Sequence, residues 1–104
     1  MIQKIIYFLI LFIFFSTTNI YAQKETKKIL IIHSYHQGYE WADGIHSGII
    51  DTLKNNENLE IYVEYLDLIR QKETEEYLEL WSNFLKNKYK NIGIDVLITV
   101  DDNA

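Results

Sequence analysis

Hydrophobic residues recur along this chain in three patterns, and each pattern predicts a different element. The first is unbroken: Ile5 to Phe15 is wholly apolar, preceded by Lys4 and followed by the polar Ser16-Thr17-Thr18-Asn19. That run is shorter than the ~20 residues a helix needs to cross a bilayer. With the small Ala22 after Ile20-Tyr21, residues 1–22 have the layout of a cleavable signal peptide. An uncleaved membrane anchor is the alternative. Either way the remainder, residues 23–104, is expected outside the cytoplasm, in a periplasmic or extracytoplasmic setting.

Short aliphatic runs and period-two alternation predict strands. Ile29 to Ile32 is continuously aliphatic, as in a strand buried on both faces. Leu59 to Asp67 alternates, with Ile61, Val63 and Tyr65 on one face and Tyr62, Glu64 and Leu66 on the other, which suits an edge strand. The stretch DVLITVDD, 95–102, supplies a third strand.

Between the strands the period lengthens towards four, the mark of an amphipathic helix. In ADGIHSGIIDTLKNN, 42–56, Ile45, Ile49 and Leu53 form a stripe, and Asn55-Asn56 closes the element. Gly44 and Gly48 weaken that helix, so close backbone packing against a sheet or ligand is expected there. A second helix begins near Thr74, with Glu75 and Glu76 in its first turn and Lys86, Lys88 and Lys90 in its last, as the helix dipole favours. Its expected apolar stripe is Tyr77, Leu80, Trp81, Phe84 and Leu85, and Gly93 marks the stop.

The predicted order is β-α-β-α-β, an α/β fold in three layers with a parallel sheet and right-handed crossovers. Strand one belongs between two and three, giving the order 2-1-3, with the helices on opposite faces. This is the first half of a doubly wound lobe. Its last strand is as apolar as its first yet lies on an edge, and Ala104 falls where another helix should open. The sequence is therefore expected to be part of a larger domain.

Composition narrows the chemistry. The formal charge is −5, and loss of Lys4 with the leader takes it to −6. Nucleic-acid binding relies on basic patches, and the densest basic stretch, Lys86 to Lys90, reads as the solvated end of a helix. Cysteine is absent, which excludes a disulfide framework, thiol catalysis and thiolate metal sites. No G-x-G-x-x-G or phosphate loop occurs, so no nucleotide cofactor is expected.

In open parallel sheets, ligands sit beyond the carboxyl ends of the strands. Three segments meet that rim: His33-Ser34-Tyr35-His36, Asp67 to Arg70, and Thr99 to Asn103. The polar and aromatic residues of ILIIHSYHQGYEW, 29–41, are thereby bunched where a small molecule can be held. His33-x-x-His36 with Asp101 or Asp102 has metal-binding residue types but lacks a third ligand at a recognisable spacing. Ser34 with a histidine base has the residue types of a hydrolase, without a G-x-S-x-G elbow. Trp41 and Tyr39 either stack on a planar ligand or pad the helix against the sheet. Trp81 belongs to the core stripe. Arg70 either clamps a carboxylate or pairs with a neighbouring acid.

The stretches KKILIIHSYHQGYEWADGIHSGI, EYLDLIR and VLITVDDNA together resemble the start of an extracytoplasmic family of ABC-transporter substrate-binding-like domains, related to type I periplasmic binding proteins. The resemblance covers residues 27–104, and S-Y-H-x-G-Y-x-W and D-D-N-A are its specific parts. It implies two α/β lobes that close around a small organic molecule, without catalysis. It also implies a membrane permease or a fused histidine kinase or diguanylate cyclase module as partner, with the S-Y-H form closer to the sensor-fused branch. Carried onto this sequence, Ser34, Tyr35, His36, Trp41, Asp101, Asp102 and Asn103 would line one side of the cleft, with Arg70 a further candidate. The aromatics favour a planar or amino-acid-like ligand. The rival from another class is an exported α/β hydrolase-like enzyme using His33, Ser34 or His36 with Asp101.

Overall fold

A computed structural model describes residues 1–7, 24–102 and 104. Residues 2–7 are helical. The rest of the expected leader, 8–22, lies outside the described residues. Among the described residues, no helix is long and apolar enough to cross a membrane.

Five elements follow: β1 (Lys27–His33), α1 (Glu40–Leu53), β2 (Leu59–Tyr65), α2 (Glu75–Tyr89) and β3 (Val96–Val100). The sheet is parallel throughout, in the order β2-β1-β3, with Ile31 opposite Val63 on one side and Ile98 on the other. The order explains where the helices lie. The chain steps from β1 to β2 in one direction and returns past β1 to β3 in the other. Two crossovers of the same hand must then lie on opposite faces.

Each face has its own core. Ile29, Ile31 and Val100 pack beneath Ile45, Ile49, Ile50 and Leu53 of α1, while Leu30, Ile32, Leu66 and Leu68 pack beneath Tyr77, Leu78, Trp81, Leu85 and Tyr89 of α2. β1 is aliphatic on both sides because it alone has a strand at each edge and a helix over each face. Burying each of its isoleucines contributes roughly 1.5–3 kcal/mol.

Several expected details shift. β1 starts at Lys27, held there by the Lys27 N–H to the Asn58 carbonyl and the Lys28 N–H to the Asp95 carboxylate, both close to 2.9 Å. α1 stops at Leu53, where the Asn56 side-chain amide donates to the Leu53 carbonyl, rather than running on to Asn56. Gly44 and Gly48 do not pack closely against the sheet, since a methyl group on either would meet nothing within 4 Å. β2 ends at Tyr65 and β3 at Val100, short of the expected 67 and 102, because Asp67 and Asp101 adopt left-handed backbone at φ 59° and 71°.

The buried stripe of α2 is also rotated. Leu80 and Phe84, expected in the core, are 62% and 47% exposed, and Leu78 and Tyr89 pack in their place. Polar anchors set this rotation. The Tyr77 hydroxyl donates to the Leu66 carbonyl at 2.6 Å. Both the Tyr89 hydroxyl and the Lys88 ammonium donate to the buried Glu64 carboxylate. Turning Leu80 and Phe84 inward would break all three contacts. Burial and the Glu64 carboxylate together push the Tyr89 phenol well above its ordinary pKa.

Candidate functional site

The carboxyl ends of the three strands meet at one rim, and the loop between β1 and α1 crosses it. Ser34 leaves β1 fully buried, its hydroxyl donating to the Val100 carbonyl at 3.0 Å and its N–H to the same oxygen at 3.1 Å. Its carbonyl accepts from the Leu68 N–H at 2.9 Å. Ser34 is thus a clasp joining the ends of all three strands, and no face of it reaches solvent.

Past Ser34 the loop is built of rings. Tyr35 meets Tyr39 edge-on, with centroids 5.2 Å apart, and His36 lies 5.9 Å from Tyr39. Gly38 adopts φ 94°, a conformation glycine takes at little cost, and its N–H donates to the Asp43 carboxylate at 3.1 Å. That bond reaches back from the first turn of α1, whose N-cap Tyr39 supplies no side-chain cap.

Two aspartates tie this loop to the other strand ends. Asp67, after β2, accepts from the Arg70 guanidinium at 2.7 Å and lies 3.3 Å from His36 Nδ1, without hydrogen-bond alignment. The hydrogen bond from Arg70 holds the Asp67 carboxyl below the usual carboxylate range. Asp101, after β3, accepts from the Trp41 indole N–H at 3.3 Å. Its other oxygen is buried and has no hydrogen-bond partner among the described residues. Both aspartates sit in the left-handed region, which Asp visits more readily than most residues.

Trp41 is 64% exposed, so it does not pad α1 against the sheet. With Tyr39, Glu40, Gly44 and Ile45 it lines an open cleft of about 540 Å³. Asp102 is exposed and is not part of that lining, and Asn103 lies outside the described residues. Arg70 takes up the nearby acid, Asp67, rather than standing free.

The two loop histidines part company. His36 stays at the rim, whereas His33 turns under α1, fully buried, with its Nε2 3.1 Å from Nδ1 of His46 and its ring stacked on Tyr65 at 4.8 Å. Burial, and then the neighbouring His46, lower the His33 pKa against the opposing pull of Asp101 and Asp43. A chelate from His33 and His36 is therefore not formed. Among the described residues, no three His, Asp or Glu side chains are placed to hold a metal ion.

Sequence reasoning placed Asp67 on the rim without naming it as a site residue, and it missed His46 and the stacking of Tyr65 on His33. His46 carried a signal: it stands four residues after buried Ala42 and three before Ile49, a polar residue on an apolar stripe. Asp67 was marked only by its place after β2, because its contacts come from a left-handed turn.

No family model, no curated protein and no solved structure matches this chain.

Proposed function

We propose that this chain forms one lobe's share of an exported, non-catalytic small-ligand-binding domain of the type I periplasmic-binding-protein kind. It would act in signal reception, through a fused kinase or cyclase module, or in uptake, through a membrane permease. One observation carries the proposal. The aromatic loop after β1 and the first turn of α1 lie against both neighbouring strand ends, with His36 Nδ1 3.3 Å from Asp67 and the Trp41 indole N–H donating to Asp101 at 3.3 Å. A fixed, open, aromatic-and-carboxylate rim at the carboxyl edge of a parallel sheet is where this architecture holds small molecules. The mechanism is closure of the rim against a second lobe, a population shift between open and closed states. A non-catalytic role is supported by the full burial of Ser34 and His33, which leaves neither within reach of a substrate.

The exposed indole of Trp41 is the contact for a planar or amino-acid-like ligand. Thermal-shift and fluorescence titrations of the full chain with the free L-amino acids, aromatic ones included, test this. A binding amino acid should raise the unfolding midpoint and shift the indole emission. In Trp41→Ala that binding should weaken at least about tenfold, as expected for a central aromatic contact. The unliganded variant should stay within about 0.5 kcal/mol of the native chain, because the side chain is exposed. Unchanged affinity in Trp41→Ala, or no response across the set, would overturn the reading.

A further inference from the structure

The walls of the rim cleft are the rings of Tyr39 and Trp41, and the one charged residue in its lining, among the described residues, is Glu40. Around the cleft the charge balance is strongly negative. In the three rim segments and the first turn of α1, five carboxylates (Glu40, Asp43, Asp67, Asp101 and Asp102) stand against one guanidinium, Arg70. Arg70 is taken by Asp67 at 2.7 Å. Among the described residues, no lysine or arginine pairs with the other four.

That balance decides which ligand charge the cleft accepts. The N-terminus of α1 would by itself attract an anion, but Glu40 and Asp43 already occupy its first turn. The Gly38 N–H is given to Asp43 and the Trp41 indole N–H to Asp101. An entering carboxylate therefore meets like charge and donors already engaged. An ammonium meets the opposite. The second oxygen of Asp101 is buried without a hydrogen-bond partner, and fully buried His33, close enough to feel that carboxylate, leaves Nδ1 unpartnered as well. Buried polar atoms without partners are costly, and a cation beside the carboxylate offsets that cost. The Asp101 carboxylate also polarises the indole through its N–H, making the exposed Trp41 face a better surface for a cation.

We infer that the cleft selects a small aromatic amine, a cation with no carboxylate of its own, whose ring lies on Trp41 and whose ammonium is held by the fields of Asp101 and Glu40. This rests on the ligand-binding proposal and narrows its planar or amino-acid-like ligand to one charge type.

Three probes with the same ring and different charges test it: phenethylamine, L-phenylalanine and 3-phenylpropionate, each titrated calorimetrically into the full chain at neutral pH and low salt. Phenethylamine should bind at least about tenfold more tightly than L-phenylalanine, the scale of one charged contact, and 3-phenylpropionate should bind most weakly. Asp101→Asn keeps an oxygen for the Trp41 N–H and suits the left-handed backbone at φ 71°. It should weaken the amine about tenfold and narrow its lead over L-phenylalanine. Glu40→Gln, at an exposed position, should act in the same direction, and circular dichroism confirms that both variants are folded. L-phenylalanine or 3-phenylpropionate binding as tightly as the amine overturns the inference and leaves the ligand-binding proposal standing. So does an amine affinity unchanged in both variants. Silence of all three probes overturns it as well, and the titrations with the other L-amino acids then show whether the ligand-binding proposal falls with it.

Discussion

His33 is the residue at which burial and titration collide. It is enclosed by His46 and Asp43 from α1, Tyr65 from β2 and Asp101 from the end of β3. A charged imidazole there must lose its water and lie 3.1 Å from a second imidazole. The folded state therefore binds the proton less readily than the unfolded chain, whose histidines titrate near 6.5. With the folded pKa lowered, protons favour the unfolded state as pH falls through about 6.5, and the stability present above that pH is lost progressively below it. The unfolding midpoint should fall between pH 7.5 and pH 5.5, before carboxylates titrate. His33→Leu, which keeps an apolar group in place, should flatten that decline. An equally steep decline in the variant would show that another group controls it. Nothing in I-L-I-I-H revealed this enclosure. A histidine ending an aliphatic strand points into the core or out to the rim according to strand register, and alternation with Ile29 and Ile31 sends it inward. Ser34, just past the end of β1, is tied to β3 by its hydroxyl and N–H at the Val100 carbonyl, so two expected rim residues became structural ones while His36 and Trp41 stayed at the surface.

At the scale of elements, local rules predicted existence and order, and tertiary anchors decided rotation. Thr74 illustrates the rule that held. Its hydroxyl accepts from the Tyr77 N–H at 3.1 Å, with Glu75 and Glu76 following in the first turn, and α2 starts at the next residue. Thr74→Ala should cost about 1 kcal/mol, read from the denaturation midpoint at unchanged slope. A loss well under half of that would mean water satisfies the N–H equally well. Rotation of α2 was not legible, because a wheel of apolar residues is broad when tyrosines are counted among them. Tyr77 and Tyr89 each have a body for the core and a hydroxyl for β2, and those hydroxyl bonds select the stripe that is buried. Alternation in β2 likewise gave the correct faces, but it could not show that Glu64 would be buried and answered by Lys88 and Tyr89.

At the scale of the whole molecule, the decisive feature is unequal cover. β1 is shielded on every side, whereas β3 carries α1 over Ile98 and Val100 and, among the described residues, nothing comparable on its other face. Leu97 projects there at 57% exposure, with Thr99 also exposed and Val96 half exposed at the strand's start. Among the described residues the outer edge of β3 has no strand beside it, so main-chain donors and acceptors lie next to uncovered aliphatic side chains. That combination favours pairing with other chains. A lysine on such an edge blocks addition by like-charge repulsion between copies. Leu97→Lys should accordingly slow concentration-dependent aggregation, followed by light scattering. It should leave the unfolding midpoint within about 0.5 kcal/mol of the native chain, because little apolar burial is removed. If stability instead fell by the 2 kcal/mol or more typical of a core truncation, Leu97 would be covered in solution and the bare face of β3 would be an occupied one.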